Sequence, residues 1–153
     1  MKELNLPPCE LKTRKHGSKT EVFDIIRKKY ISLTGEEWVR QHFIHYLVHG
    51  KQVPVTLIAV ESALKVNRLS KRSDIVVYNR KGKPCLVVEC KAPEIVISQA
   101  VFDQAAMYNL TLKVPFLVIT NGMKHYVCRT DHEKKTFLFL KEIPSFQELD
   151  ENK

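Results

Sequence analysis

The sequence predicts an α/β domain in which a central mixed β-sheet carries helices on both faces. Three observations point there. Two apolar, β-branched runs, residues 72–78 and 84–91, flank the polar turn Asn79-Arg80-Lys81-Gly82-Lys83 and read as an antiparallel hairpin. After Lys91, residues 98–110 are long enough for a helical crossover to a parallel apolar strand at 114–120, with right-handed sense expected. Before the hairpin, residues 34–49 show the start signal and apolar stripe of a surface helix. The 153 residues suffice for one such domain with its own core.

Taken in order, residues 1–19 are Pro- and Lys-rich and read as a basic, partly flexible arm, with a single domain from 20 to 153. Val22-Phe23-Asp24-Ile25-Ile26 fits either a strand or the first turns of a helix. Thr34 is a good N-cap, and Glu37 stands at the third helical position to complete a capping box. After a turn at Gly50, residues 53–60 read as a strand, and Arg68-Leu69-Ser70-Lys71 as a loop. The hairpin follows, then a break at Pro93-Glu94 and a second helix capped by Ser98. Asn121-Gly122 is a strong turn signal after the strand at 114–120. Strands at 124–129 and 136–140 finish the sheet, and the tail from Ile143 reads as a short capping segment. The order is αβββαβββ.

Composition narrows the function classes. A net charge of +8, from 25 Lys and Arg against 17 Asp and Glu, favours a polyanionic partner. No run approaches the roughly 18 apolar residues of a membrane span, and the N-terminus lacks a signal-peptide core, so a cytoplasmic protein is expected. Cys9, Cys85, Cys90 and Cys128 form no C-x-x-C pair and read as reduced thiols. Neither they nor the six histidines have zinc-ligand spacing.

The chemistry concentrates in the hairpin. Asp74 interrupts one apolar run, and Glu89 and Lys91 end the other. Side chains alternate along a strand, so Glu89 and Lys91 share a face while Cys90 points away. Two carboxylates and an ammonium would then meet at one end of a strand pair. A hydrated divalent cation is the simplest compensation, since hard oxygen ligands suit magnesium, with manganese as a substitute. Asp74, Glu89 and the main-chain carbonyl of Cys90 are the expected metal ligands. Lys91 would orient the attacking water or stabilise charge on a phosphate. The competing reading leaves Asp74 in a turn and Glu89 and Lys91 in solvent.

Further candidates surround this trio. Glu36 lies on the stripe with Val39, Arg40, Phe43 and Leu47, whereas Glu37 has a capping role; Glu36 is therefore the better candidate for an inward acid, or else both are first-turn glutamates favoured by the helix dipole. Gln104 and Tyr108, four apart, stack on one face of the second helix beside Val101 and Ala105. Arg68, Lys71 and Arg72 precede Asp74 and are placed to hold DNA phosphates, or else form a solvated basic loop. Arg14, Lys15, Arg27, Lys28 and Lys29 carry the same two readings. His42, His45 and His49 read as surface or edge residues, and Trp38 as a packing or tail-docking residue.

With these residues placed, the chain resembles the PD-(D/E)xK nuclease superfamily, and more narrowly the N-terminal nuclease domain of type I restriction enzyme motor subunits. The matching stretches are Glu36-Glu37-Trp38-Val39-Arg40-Gln41, Lys71 to Tyr78, Leu86 to Pro93, Gln104 to Asn109, and Thr120-Asn121-Gly122. The resemblance implies a restriction-endonuclease-like αβββαβ core and a magnesium-dependent DNA endonuclease of the restriction-modification type. It makes Asp74 and Glu89 metal-binding acids, Lys91 the catalytic lysine, and Gln104 with Tyr108 a Q-x-x-x-Y element of motor-coupled nucleases. Glu61 falls where relatives tend to carry an acid, or else is a surface carboxylate at the edge of the sheet. Ser73 replaces the proline that names the superfamily. The chain shows no Walker-type ATPase motif, so three readings stand: a fragment, a free-standing relative, or a part that works with a separate helicase or translocase or with restriction-modification subunits. The rival reading is a non-catalytic nucleic-acid-binding module that kept this fold.

Overall fold

The computed structural model describes residues 1–66 and 69–152. Six strands form one sheet in sequential order: β4 (Ile58–Val66), β5 (Leu69–Tyr78), β6 (Pro84–Cys90), β7 (Phe116–Thr120), β8 (His125–Asp131) and β9 (Thr136–Leu140). A separate three-stranded antiparallel sheet precedes it, made of β1 (Thr13–His16), β2 (Lys19–Asp24) and β3 (Lys29–Ser32). Among the described residues three α-helices complete the fold: α1 (Gly35–His45), α2 (Gln99–Leu112) and α3 (Phe146–Glu151).

In the large sheet every pairing is antiparallel except β6–β7, which is parallel and joined through α2. That is the crossover expected from the sequence, because parallel neighbours need a long connection. Strand alternation divides the core in two. Ile75, Val77, Leu86, Val88 and Val118 pack with Val39, Phe43, Ile44 and Leu47 of α1. Val76, Val87, Leu117 and Ile119 pack with Phe102, Ala105 and Ala106 of α2. Both faces of the central strands are thus covered, which is why β6 and β7 read as continuous apolar runs.

Several local expectations differ from the structure. Within residues 1–19, Thr13–His16 is a strand, and Leu4 and Leu6 pack against the α1 side of the core. The Asn5 amide donates to the Gly122 carbonyl at 2.8 Å, and the Trp38 indole N–H to the Lys2 carbonyl at 2.8 Å. Trp38 therefore docks the tail, one of the roles read for it. Val22-Phe23-Asp24 completes a strand, while Ile25-Ile26 lies in the turn beyond it. Helix α1 gives way at Tyr46 to a π-helical turn, Tyr46–Gly50. A 3₁₀ turn at Val55–Leu57 delays the following strand to Ile58. Leu69, Ser70 and Lys71, expected in a loop, belong to β5. His42 is buried with its Nδ1 at 2.8 Å from the Trp38 carbonyl, so it is not a surface residue. The C-terminal segment is helix α3, held by a capping box between Ser145 and Glu148.

Candidate active site at the end of strand β6

Register brings the acids together. Ile75 pairs with Val88, so one step further along the antiparallel ladder sets Asp74 beside Glu89. Val60 pairs with Ile75 and Ser62 with Ser73, which brackets Glu61 opposite Asp74 on the other side. Acidic residues from β4, β5 and β6 therefore occupy neighbouring backbone positions near the end of β6. Glu61 has φ +54°, a left-handed conformation inside a strand. For a residue with a Cβ this costs roughly 1 kcal/mol or more, and such strain clusters at functional sites.

Alternation from Val87 turns Glu89 toward α2, and Lys91 follows on the same side. There they line a cleft of about 180 Å³ with Gln104 and Tyr108; Val101, Ala105 and Ile119 form its apolar wall. The helix spacing of Gln104 and Tyr108 thus delivers both to the trio. Contrary to a core-facing placement, both are exposed, and Phe102, Ala105, Ala106 and Asn109 are the buried residues of α2. The amide and the phenol form a rim, not a core.

Asp74 is held from two sides. Its Oδ2 accepts the Cys90 backbone N–H at 2.7 Å, and its Oδ1 accepts from Arg40 Nη1 at 3.4 Å. Cys90 itself is fully buried, and desolvation followed by the nearby Asp74 charge pushes its thiol well above the ordinary range. Its sulfur is therefore a poor ligand, and only its main chain serves the site.

The two helix acids have opposite placements from those expected. Glu36 is exposed at the start of α1, whereas Glu37 is buried. The Glu37 backbone N–H still donates to Thr34 Oγ1 at 3.0 Å, but its carboxylate turns inward instead of back to the cap. It accepts from Arg40 Nε at 2.9 Å and Nη2 at 2.6 Å, from Gln41 at 3.0 Å and from Arg27 at 3.2 Å. Burial alone would raise the Glu37 pKa, but the Arg40 and Gln41 hydrogen bonds and the two guanidinium charges hold it below the usual range. For Glu36, partial burial and then repulsion from Asp74 raise the pKa, partly opposed by Arg40 and Lys91. Glu36 thus shares the electrostatic field of Asp74 and Lys91 while staying open to solvent.

Arg40 and Arg27 are the members that sequence reading did not assign to the site. Arg40 reaches Glu37, Glu61 at 3.3 Å and Asp74, and Arg27 reaches Asp24, Glu37 and Glu61. The available signal was the Glu37–Arg40 spacing of three on the apolar stripe. Of the basic residues before Asp74, Arg68 lies outside the described residues. Lys71 and Arg72 belong to the part of β5 that extends past the end of β6, paired with Leu64 and Ala63; their side chains lie outside the described residues.

The donor set fits a hard cation. Among the described residues no three His, Cys, Asp or Glu side chains stand close enough to hold one ion. Magnesium asks for less, commonly one or two carboxylates with water and substrate phosphate completing the shell. Neighbouring Asp74 and Glu89, with a strand-end carbonyl beside them, match that requirement.

A mixed six-stranded sheet covered by helices on both faces is consistent with a restriction-endonuclease-like fold. The family model of the type I restriction enzyme R protein N terminus (HSDR_N) matches residues 35–144, most of the chain, and the chain belongs to this family. Among curated proteins, none matches the sequence. Among solved structures, a fragment assigned as an HsdR subunit of a type I restriction enzyme from Vibrio vulnificus YJ016 is similar, with a TM-score of 0.54 and 23% identity. That match covers 76% of this chain and 24% of the other, so the chain spans about a quarter of that relative's length. Among the described residues no helix is long and apolar enough to cross a membrane.

Proposed function

We propose that this domain is a magnesium-dependent DNA endonuclease of the type I restriction R-subunit kind, hydrolysing phosphodiester bonds with an activated water. The observation that carries the proposal is the single cleft lined by Glu89, Lys91, Gln104 and Tyr108, with Asp74 beside Glu89 in register. Asp74, Glu89 and the Cys90 carbonyl would hold the ion, which supplies Lewis acidity to a phosphoryl oxygen and an acidified water when bound.

The rest is the work of the chain's own groups. Lys91 places a positive charge where negative charge develops on the phosphate, in a cleft with apolar walls that strengthen the interaction. Gln104 and Tyr108 hold the scissile strand from the rim by hydrogen bonds. Glu36, its pKa raised by partial burial and by the Asp74 charge, would pass a proton to or from water or the leaving group at the edge of the site. Arg40 fixes Asp74 and neutralises the acid row before substrate arrives. Within an R subunit, a translocase and the methyltransferase and specificity subunits would present the DNA, and Lys71, Arg72 and Arg68 would contact its phosphates.

Incubation with supercoiled plasmid and magnesium tests the reading. The parent protein is expected to nick the plasmid, and Lys91→Ala to lose at least about two orders of magnitude in rate, the scale of losing one electrostatic stabiliser. Equal DNA binding by both with no cleavage by either would favour the non-catalytic binding module.

A further inference from the structure

We infer that the N-terminal three-stranded sheet is a wing that grips duplex DNA and holds its phosphate backbone beside the cleavage site. The inference rests on the DNA-directed reading above and extends it to a second surface.

Charge is the first observation. Residues 12–32 hold seven Lys and Arg against two acids, a net +5 of the chain's +8. One of those acids, Asp24, is fully buried and engaged internally, so outward the segment is almost wholly cationic. Strand β1 is exposed along its length and pairs on one side only.

The arrangement of that charge is the second. Cross-strand pairing sets Arg14 opposite Glu21 and His16 opposite Lys19, and Phe23 opposite Tyr30 on the same face. The Arg14 guanidinium lies over the Tyr30 ring at 3.9 Å, and the Lys12 ammonium over Phe23 at 5.7 Å. The rings hold these cations in place, so less side-chain entropy is lost when a phosphate binds. Among the described residues, no exposed large apolar side chain lies in this segment. A protein interface or an inserted membrane anchor would call for such an apolar centre, and a phosphate backbone does not.

The third observation ties the wing to the site. Asp24, at the end of β2, accepts from Arg27 Nε at 2.8 Å, Gln41 Nε2 at 2.9 Å and two turn amides. Arg27 continues to Glu37 and Glu61, residues of the acid cluster. The base of the wing is thus pinned by buried ion pairs to the helix whose first turn carries Glu36.

Fluorescence anisotropy of the full chain on a short labelled duplex, in EDTA so that cleavage plays no part, tests this. The triple variant Arg14→Ala/Lys15→Ala/Lys19→Ala is expected to bind at least about tenfold more weakly at moderate salt. Its log–log salt slope should shrink by about 2 to 3, near 0.9 per lost phosphate contact. Glu21→Gln, which releases Arg14, is expected to bind more tightly than the parent. Arg14, Lys15 and Lys19 are exposed, and Glu21 is half-buried with Gln as its isostere, so circular dichroism should show the parent fold. Parent affinity and parent slope in the triple variant would overturn the wing while leaving the nuclease reading intact. So would a parent protein that ignores the duplex but is retained by phosphatidylserine vesicles. A protein whose wing variants lose duplex affinity, yet which never nicks plasmid, supports the wing and sinks the nuclease reading.

Discussion

Replacing Arg40 by methionine keeps the aliphatic stem and removes the cation on which the acid cluster depends. Glu37 is only 6% exposed and would lose two hydrogen bonds, at 2.9 and 2.6 Å. Removing one partner of a buried ion pair commonly costs about 3–5 kcal/mol, because the other charge stays behind. Here Gln41 and Arg27 remain on Glu37 at 3.0 and 3.2 Å. That support reduces the expected loss to about 2–3 kcal/mol, below the full cost of an uncompensated charge. For a chain of this size the loss corresponds to a Tm lower by about 5–10 °C. Urea unfolding is the assay, with the midpoint falling and the slope unchanged. The sign with pH is fixed: without Arg40 the buried Glu37 carboxyl shifts upward, so the deficit should shrink as pH falls from 7 toward 4.5 and Glu37 protonates. Adding Glu37→Gln to Arg40→Met should recover part of the loss. A deficit under about 0.5 kcal/mol at pH 7, the range of ordinary surface substitutions, would refute this account of the cluster.

Other outcomes follow from the same geometry. Asp24 and Glu37 are both held below the usual carboxylate range against the opposing effect of burial. Their stabilisation is complete above the unfolded values near 4 and lost as pH falls through the lower folded values, so acid titration of stability should drop steeply below about pH 4. Gln104→Ala is expected to slow plasmid nicking by about 10- to 100-fold while leaving Tm within about 1 °C, since an exposed rim residue contributes little to folding. Gly122 has φ +83°, and an added Cβ would stand 2.7 Å from a Leu4 methyl. Gly122→Ala should cost about 1–2 kcal/mol and expose the docked N-terminus to limited proteolysis.

Much of the site was readable because its chemistry contradicts its surroundings. Asp74 and Glu89 sit in runs that the pattern requires to be buried, and the antiparallel register then makes them neighbours. Gln104 and Tyr108 needed only helical spacing and the parallel crossover. What escaped reading has local causes. The β1–β2 hairpin lacks apolar alternation, because its outward positions are cations and Val22 is its one fully buried apolar residue. Glu36 and Glu37 are 100° apart at a helix start, and a capping box is as good a local partner for Glu37 as the buried Arg40. The choice was made by Arg27, which arrives from the preceding turn. The positive φ of Glu61 has no signature in a residue type that normally avoids it. Residues 69–71 are too polar to read as strand, yet β4 supplies their backbone partners.

The central claim is that neighbouring Asp74 and Glu89 form a cation site, and calorimetric titration with magnesium or manganese tests it most directly. The parent should take up the ion, and Asp74→Ala and Glu89→Gln should each abolish uptake while circular dichroism shows the fold retained. Undiminished uptake in both variants would contradict the account.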